Sequence, residues 1–187
     1  MRKEPGPAGE KIRQALREAI AYKAHEFDAH GIEHNQRYAS AAVIPDGTPI
    51  PGYRRDPVLY AQPTTWPGAK LPHTWITERG SRLSTLDVAG HGSFAVITGI
   101  GGRAWLDAAA AAAAQTGIAI TLASVGPGEQ YEDPYGTWAD LREIEDGGVL
   151  LVRPDLYLAA RHTASPSSAQ HSAGWLGGML REVLDRV

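Results

Sequence analysis

Two apolar stretches separated by a helix-forming segment constrain the fold more than any other feature of this sequence. Phe94–Ile100 and Ile118–Val125 are rich in apolar and β-branched residues, which is typical of buried strands. Between them, Arg103–Gln115 contains the alanine run Ala108–Ala114 and is a strong helix by propensity. A strand, a helix and a second strand in this order predict parallel pairing through a right-handed crossover.

A hairpin is predicted further along the chain. Gly148–Val152 is a short apolar run, Pro154 and Asp155 supply turn chemistry, and Leu156–Arg161 forms the returning strand. Ser168–Val187 closes the chain as an amphipathic helix. Because the hairpin adds antiparallel strands to a parallel pair, the sheet is expected to be mixed.

The complete order of elements predicts an α/β fold, a thioredoxin-like mixed sheet with helices on both faces. Three weaker segments complete it: a first strand at Pro72–Ile76, a helical turn over 84–88 capped by Ser84, and a helix at Tyr135–Ile144. Thioredoxin chemistry needs a Cys-x-x-Cys pair at the start of the helix that follows the strand. The sequence has no cysteine, and that position reads Gly101-Gly-Arg-Ala-Trp105, so redox function is excluded.

An N-terminal helix and an extended arm precede this fold. Gly9–His30 carries an apolar stripe, and Gly31 is placed as its C-terminal stop. Residues 32–66 alternate short extended pieces with turn signals, yet they contain too many aromatic residues for a solvated linker: Tyr38, Tyr53, Tyr60 and Trp66. We therefore expect two parts, residues 1–66 as helix and connecting arm and residues 67–187 as the thioredoxin-like domain.

Charge and cysteine content exclude several classes of function. The net charge of −3 offers no basic surface for nucleic acid or an anionic membrane. The absence of cysteine excludes disulfides, thiolate metal sites and thiol nucleophiles. No apolar run reaches transmembrane length, and residues 1–6 lack the apolar core of a signal peptide. The sequence predicts a cytoplasmic protein that binds neither nucleic acid nor membrane.

A glycine motif lies between the first predicted parallel strand and its helix. Gly99, Gly101 and Ala104 fit the G-x-G-x-x-A pattern by which a dinucleotide pyrophosphate approaches a helix N-terminus. A ribose-binding acid should end the next strand, about twenty residues on. That strand ends without one, and the first acid is Glu129. A tight strand-to-helix turn explains the glycines equally well.

Other groups that could carry chemistry are incomplete. His25 and His30 would lie about 140° apart on a helix, and Gly31 is expected to end that helix before His34. No carboxylate is placed to complete a zinc set with these histidines. His91 and Ser93 form no nucleophile elbow and have no oriented base. No catalytic, cofactor-binding or metal-binding residue is therefore predicted.

Several motifs together resemble one enzyme family. They are Pro67–Trp75, Ser84–Gly90, Phe94–Gly99, Trp105 and Leu151–Asp155 through Arg161, and in the arm His25–Ile32, Asn35–Tyr38, Ala42–Gly47 and Tyr60–Gly68. With these, nearly the whole chain resembles the C-terminal region of flavin-dependent phenol hydroxylases, which are class A aromatic monooxygenases, and it is most similar to their chlorophenol branch. The resemblance implies a redox-inactive thioredoxin-like domain, preceded by the last helix and connecting arm of a flavin domain.

Cofactor use follows from the resemblance alone. Full-length relatives use FAD and NAD(P)H to place an oxygen atom of O₂ on a phenol ring, and their cofactor-binding segments are not in this chain, so it is expected to bind none of these cofactors itself. Two positions depart from the family pattern: Leu156 stands where glycine is usual, and Ala160 where tryptophan is usual. Lys70 stands where arginine is common, which weakens the expectation of bidentate anion recognition there.

The resulting hypothesis is a C-terminal domain or fragment of a phenol (chlorophenol) hydroxylase, with a structural or oligomerisation role and no catalysis of its own. Its partner would be a flavin domain or the second copy of a homodimer. The residues predicted to face that partner are Lys70, His73, Trp75 and Arg161. Two alternatives stay open, a freestanding thioredoxin-like module for binding or dimerisation, and a nucleotide-binding domain that uses residues 99–104.

Overall fold

The computed structural model describes residues 2–184, which form two compact units. The smaller unit comprises the chain up to Asn35 together with Gly52–Gln62, and the larger comprises Gln36–Pro51 and the chain from Pro63 onward.

The smaller unit contains the helices α1 (Pro7–Phe27) and α2 (His30–His34). The elements of the larger unit are β1 (Trp75–Glu78), β2 (Ser81–Ser84), α3 (Thr85–Val88), β3 (Phe94–Thr98), α4 (Arg103–Thr116), β4 (Ile120–Ser124), α5 (Thr137–Leu141), β5 (Val149–Val152), β6 (Leu158–His162) and α6 (Ala169–Leu184). Within residues 2–184, none of the helices combines the length and the apolar character that crossing a bilayer requires.

The central sheet has four strands in the order β4-β3-β5-β6. β3 and β4 are parallel, with Phe94 opposite Ile120, whereas β5 pairs antiparallel with both β3 and β6. The turn between β5 and β6 is closed by the Leu156 N–H, which donates to the Arg153 carbonyl at 3.0 Å. The predicted parallel crossover, hairpin and mixed thioredoxin-like sheet are confirmed.

Helices cover both faces of this sheet, as the sequence predicted. On one face, α4 and α6 pack together, and Trp105 is buried there with Val96 of β3. On the other face, Trp138 of α5 is buried with Ile97 and Leu150. Neighbouring residues of β3 thus enter opposite clusters, because successive side chains of a strand point to opposite faces.

The first predicted strand, Pro72–Ile76, is wrong in its bounds and in its partner. β1 begins at Trp75 and pairs with β2 in a separate two-stranded antiparallel sheet. The turn residues Arg79 and Gly80 have φ angles of +50° and +81°, the pair of positive values that a two-residue hairpin turn favours. Arginine is not a residue that indicates such a turn, so the sequence did not reveal β2.

The N-terminal helix begins two residues and ends three residues before its predicted bounds, and Gly31 does not end it. α1 ends at Phe27, where the Asp28 N–H donates to the Ala24 carbonyl at 2.7 Å. α2 begins at His30 and includes Gly31, where an added Cβ would lie 1.9 Å from the Pro57 carbonyl oxygen. A close backbone approach therefore requires this glycine, rather than a helix end.

The boundary expected between residues 66 and 67 differs from the division that the structure shows. Part of the arm belongs to the larger unit, because it bonds to the sheet. The Ile44 N–H donates to the Ala159 carbonyl and the Gly68 N–H to the Leu158 carbonyl, both at 2.8 Å, and the Leu158 N–H donates to Ala69. These bonds occupy the edge of β6, which would otherwise expose unpaired backbone groups.

The two departures from the family pattern both lie in apolar clusters. Leu156 has a φ of +70°, a region that glycine enters freely and that costs other residues about 1–2 kcal/mol. Its side chain packs on Gly90, where an added Cβ would lie 2.9 Å from Leu156 Cδ2. Ala160 is buried in the cluster that contains the fully buried Trp105 of α4.

Candidate functional site

The β1–β2 hairpin presents a small aromatic cluster at the surface. The Trp75 side chain is 48% exposed, and the Arg82 guanidinium carbon lies 4.6 Å from its ring centroid. The His73 ring meets Trp75 edge-on, with centroids 4.9 Å apart. Tryptophan and arginine are enriched at the energetically important positions of protein interfaces. His73 and Trp75 thus share a surface suited to docking, and their docking role stays a prediction.

Local hydrogen bonds hold this surface in place. Ser84 caps α3 as predicted: its hydroxyl accepts from the Leu86 N–H at 3.0 Å, and the Asp87 carboxylate accepts from the Ser84 N–H at 2.8 Å. His73 Nδ1 lies 2.7 Å from the same hydroxyl. The capping box therefore positions the imidazole as well as the helix start.

Lys70 and Arg161, the other two predicted docking residues, lie in different surroundings. Lys70 is half-buried and forms an antiparallel bridge with Tyr157, and its docking role stays a prediction. The Arg161 side chain is only 7% exposed. Its Nε donates to the Asp46 carboxylate at 2.5 Å and its Nη1 to the Glu143 carboxylate at 3.0 Å. The guanidinium is thus engaged by acids of its own unit, and the docking role of Arg161 stays a prediction.

Arg161 is the centre of a partly buried ionic cluster. The Thr64 hydroxyl donates to the Glu143 carboxylate at 2.7 Å, and the Thr48 hydroxyl donates to the Asp46 carboxylate at 2.5 Å. Burial of the Asp46 carboxyl favours its neutral form, but the hydrogen bonds from Thr48 and Arg161 outweigh burial and hold the pKa of Asp46 below its ordinary value. The cluster joins the loop at 46–48, the segment at 64–65 and the end of α5 to β6.

The glycines of the loop before α4 are explained by packing. Gly101 has a φ of +83°. An added Cβ at Gly102 would lie 1.8 Å from the Thr98 hydroxyl oxygen, and one at Gly99 would lie 2.6 Å from the Asp146 carbonyl oxygen. The Thr98 hydroxyl in turn donates to the Gly148 carbonyl at 2.6 Å. Packing accounts for this motif without a nucleotide, and β4 ends at Ser124 rather than at an acid.

A Gly102→Ala variant is expected to lower the free energy of unfolding by about 1–3 kcal/mol, because the new methyl group overlaps the Thr98 side chain. Urea denaturation measures this change. The matched control is Gly178→Ala in α6, where an added Cβ meets no atom within 4 Å and the better helix propensity should stabilise by about 0.5–1 kcal/mol. Equal effects of the two substitutions would contradict the packing explanation.

An aromatic cluster occupies the first turn of α4, where a redox thioredoxin carries its cysteines. Trp105 is fully buried, and its Nε1–H donates to the Gly147 carbonyl at 2.9 Å. The rings of His162, His171 and Trp175 surround it, with centroid distances of 5.2, 5.7 and 5.4 Å. This part of the fold is built for packing and contains no group that exchanges electrons with a disulfide.

The histidines are arranged differently from the sequence prediction. Because α2 begins at His30 and runs through Gly31, His30 and His34 share one helical turn, with their rings 9° from parallel and their centroids 6.4 Å apart. The Glu33 carboxylate lies 3.9 Å from His34 Nε2. The expectation that no carboxylate accompanies these histidines is wrong, since ligand atoms of all three side chains lie within 4.8 Å of one another. His25 belongs to α1 and is not part of this group.

Comparison with known proteins extends along the whole chain. A family model described as "Aromatic-ring hydroxylase, C-terminal" matches residues 64–186. The 2,4-dichlorophenol 6-monooxygenase of Cupriavidus pinatubonensis is 48% identical over 187 residues, which are 99% of this chain and 31% of that protein. The phenol 2-monooxygenase of a Pseudomonas species is 43% identical over 161 residues, 86% of this chain and 26% of that protein.

Solved structures give the same result. The flavin-dependent monooxygenase PieE, in complex with FAD and substrate, matches with a TM-score of 0.81 and 44% identity, over 99% of this chain and 31% of that one. A ternary complex of aklavinone-11 hydroxylase with FAD and aklavinone matches with a TM-score of 0.68 and 34% identity, over 81% of this chain and 26% of that one. The chain thus spans less than a third of the length of these relatives.

Proposed function

Because this chain belongs to the aromatic-ring hydroxylase family and matches its C-terminal region, we propose that it acts as the C-terminal domain of a flavin-dependent phenol or chlorophenol hydroxylase. Its role is structural or oligomerising, and its partner is a flavin domain. One match carries this proposal: nearly the whole chain aligns with less than a third of a 2,4-dichlorophenol 6-monooxygenase. Cytoplasmic location stays a prediction.

The exposed apolar face of α1 supports the proposal that the smaller unit binds a partner. Within that unit Leu16 is 40% exposed, Ile20 63% and Phe27 78%, although they recur on one stripe of the helix. Ile20 and Phe27 also line a groove of about 380 Å³. Apolar side chains in a continuous stripe mark an interaction surface. A flavin domain is the occupant that the chain's family membership favours.

We propose that FAD and NAD(P)H are bound by the partner and not by this chain. The hydroxylation chemistry resides in the flavin, and a protein domain contributes to it only by binding and orienting the cofactor and substrate. In the glycine loop at 99–104, the strongest nucleotide-binding candidate in the sequence, the space beside Gly99 is taken by the Asp146 carbonyl and the space beside Gly102 by Thr98. The purified chain, mixed with FAD and desalted, is expected to be colourless and to oxidise no NADPH with 2,4-dichlorophenol. A stoichiometric bound flavin would refute the proposal.

A chimera tests the docking role directly. This chain replaces the matched C-terminal region of the Cupriavidus monooxygenase, and the chimera is expected to retain FAD and phenol-dependent NADPH oxidation. Ile20→Glu in the chimera should lower its stability by about 2–3 kcal/mol, since burying an isoleucine contributes that much, and should release FAD on gel filtration.

Tyr135→Glu is the matched control for the chimera experiment. Tyr135 is 88% exposed and lies on the larger unit, so the same change from a large side chain to an acid should leave stability and FAD content unchanged. An Ile20→Glu chimera as stable and as yellow as the parent chimera would show that the α1 stripe does not dock on the flavin domain.

A second copy of this chain is the other candidate occupant of the α1 stripe. The observation that favours it is the same exposed apolar face, which a two-fold interface would also cover. Light scattering of the isolated chain distinguishes a second copy from a flavin domain as the occupant of the α1 stripe. A dimer that Ile20→Glu converts to a monomer would favour the freestanding dimerisation module, and a monomer at all concentrations would remove it.

A further inference from the structure

The short helix α2 is held in place by its own unit. The Asn35 side chain donates from Nδ2 to the carbonyls of Pro57 and Tyr60, both at 2.9 Å, and its Oδ1 accepts from the Gln62 N–H at 2.7 Å. The Gly31 N–H donates to the Val58 carbonyl at 2.9 Å. A five-residue helix is not stable alone, so these bonds are what fix its backbone.

This fixed turn presents three metal-binding side chains to solvent. His30 and His34 stand at positions i and i+4, which face the same way on a helix, and their nearly parallel rings are separated by 6.4 Å. Glu33 adds a carboxylate oxygen 3.9 Å from His34 Nε2. All three side chains are exposed, and their ligand atoms lie within 4.8 Å of one another.

We propose that His30, Glu33 and His34 form a binding site for a divalent transition-metal ion, with zinc as the best match. Two imidazole nitrogens and a carboxylate oxygen are a ligand set that zinc accepts with water in the fourth position. Zinc ligands at about 2.0–2.1 Å from the ion stand roughly 3.3 Å apart in a tetrahedron. The side chains must therefore close by about 1.5 Å at most, which rotation of exposed side chains over a fixed backbone allows.

The site is independent of the proposed hydroxylase role, because it uses none of the residues assigned to docking. Its structural effect would be to tie the first and last residues of α2 through a single ion. Since the metal binds the folded arrangement, zinc also stabilises the smaller unit, by an amount that grows with the logarithm of the free zinc concentration once this exceeds the dissociation constant. Three exposed ligands predict an affinity below that of closed four-ligand sites, on the order of micromolar.

Calorimetry with the full, metal-stripped chain and Zn²⁺ alone tests the site. The unmodified chain is expected to bind one zinc ion with saturable heat. His34→Asn and His30→Asn should each weaken binding by about 10- to 100-fold, since removing a ligand costs at least as much as removing a group that supports one. Glu33→Gln, which keeps the size of the side chain, should weaken binding by a smaller factor.

His91→Asn is the matched control. His91 is exposed, lies in the larger unit and has a φ of +56°, a conformation that asparagine tolerates. Zinc binding should therefore be unchanged in this variant. Circular dichroism of all variants excludes unfolding as the cause of a loss. Absence of saturable heat in the unmodified chain, or an equal loss in His91→Asn and His34→Asn, would overturn the proposal.

Discussion

An Arg161→Met variant is expected to unfold with a free energy about 3 kcal/mol lower than that of the unmodified chain. The side chains of Arg161 and Asp46 are 7% and 11% exposed, so removing the guanidinium leaves a largely buried carboxylate without its ion-pair partner, although Thr48 still donates to it. Breaking a buried ion pair in this way costs about 3–5 kcal/mol. The lower end applies because Glu143, the second acid, is 38% exposed and regains contact with water. Urea denaturation followed by circular dichroism measures the difference.

The control is Arg103→Met. Arg103 also pairs with an acid, Asp107, at 2.8 Å, but its side chain is 83% exposed, and exposed pairs of this kind contribute about 0.5 kcal/mol or less.

The acid dependence of stability gives a second measurement of the Arg161 cluster. The folded-state pKa of Asp46 is lowered, since the hydrogen bonds from Thr48 and Arg161 outweigh burial. Its contribution is therefore complete above the ordinary aspartate pKa of about 3.9 and is lost as pH falls through the lower folded value.

That acid-induced loss should shrink in Arg161→Met, because the variant lacks one of the two partners that lower the Asp46 pKa. A variant with the same acid dependence as the unmodified chain, or with a loss equal to that of Arg103→Met, would show that the cluster contributes little to stability.

The central sheet could be predicted because each of its strands carries a local pattern. Phe94–Ile97 and Val149–Val152 are apolar at every position, and runs this short that are rich in β-branched residues are typical of strands covered on both faces. The β1–β2 hairpin could not be predicted in this way. Its strands are mixed in polarity, and its turn depends on Arg79 adopting a positive φ, a conformation that the surrounding structure imposes and that the residue type does not indicate.

The candidate sites show the same limit of local patterns. Arg161 has a charged side chain whose ordinary place is the surface, and its burial depends on Asp46, 115 residues earlier in the chain. The pairing of His30 with His34 depends on Gly31, which contacts the Pro57 carbonyl instead of ending a helix. In both cases a partner distant in sequence decides the environment, and no spacing within a short window reports such a partner.

A Trp105→Ala variant is expected to show the largest loss of stability, about 3–5 kcal/mol, the usual cost of truncating a fully buried tryptophan. Trp105 is 0% exposed and packs from α4 against His162 of β6 and against His171 and Trp175 of α6. The truncation also deprives the buried Gly147 carbonyl of the Nε1–H that it accepts at 2.9 Å, which adds a desolvation cost. Thermal and urea unfolding, followed by far-ultraviolet circular dichroism, measure the loss independently of tryptophan fluorescence.

Two further substitutions separate packing from hydrogen bonding at this position. Trp105→Phe keeps most of the apolar contact and removes the Nε1–H donor, so it should cost about 1–3 kcal/mol, the range for a buried acceptor left without its partner. Trp175→Ala truncates a half-buried ring of the same cluster and should cost less than Trp105→Ala, because a partly exposed side chain contributes less buried area. If Trp105→Ala and Trp175→Ala were equally stable, Trp105 would not be the residue on which this face of the sheet depends.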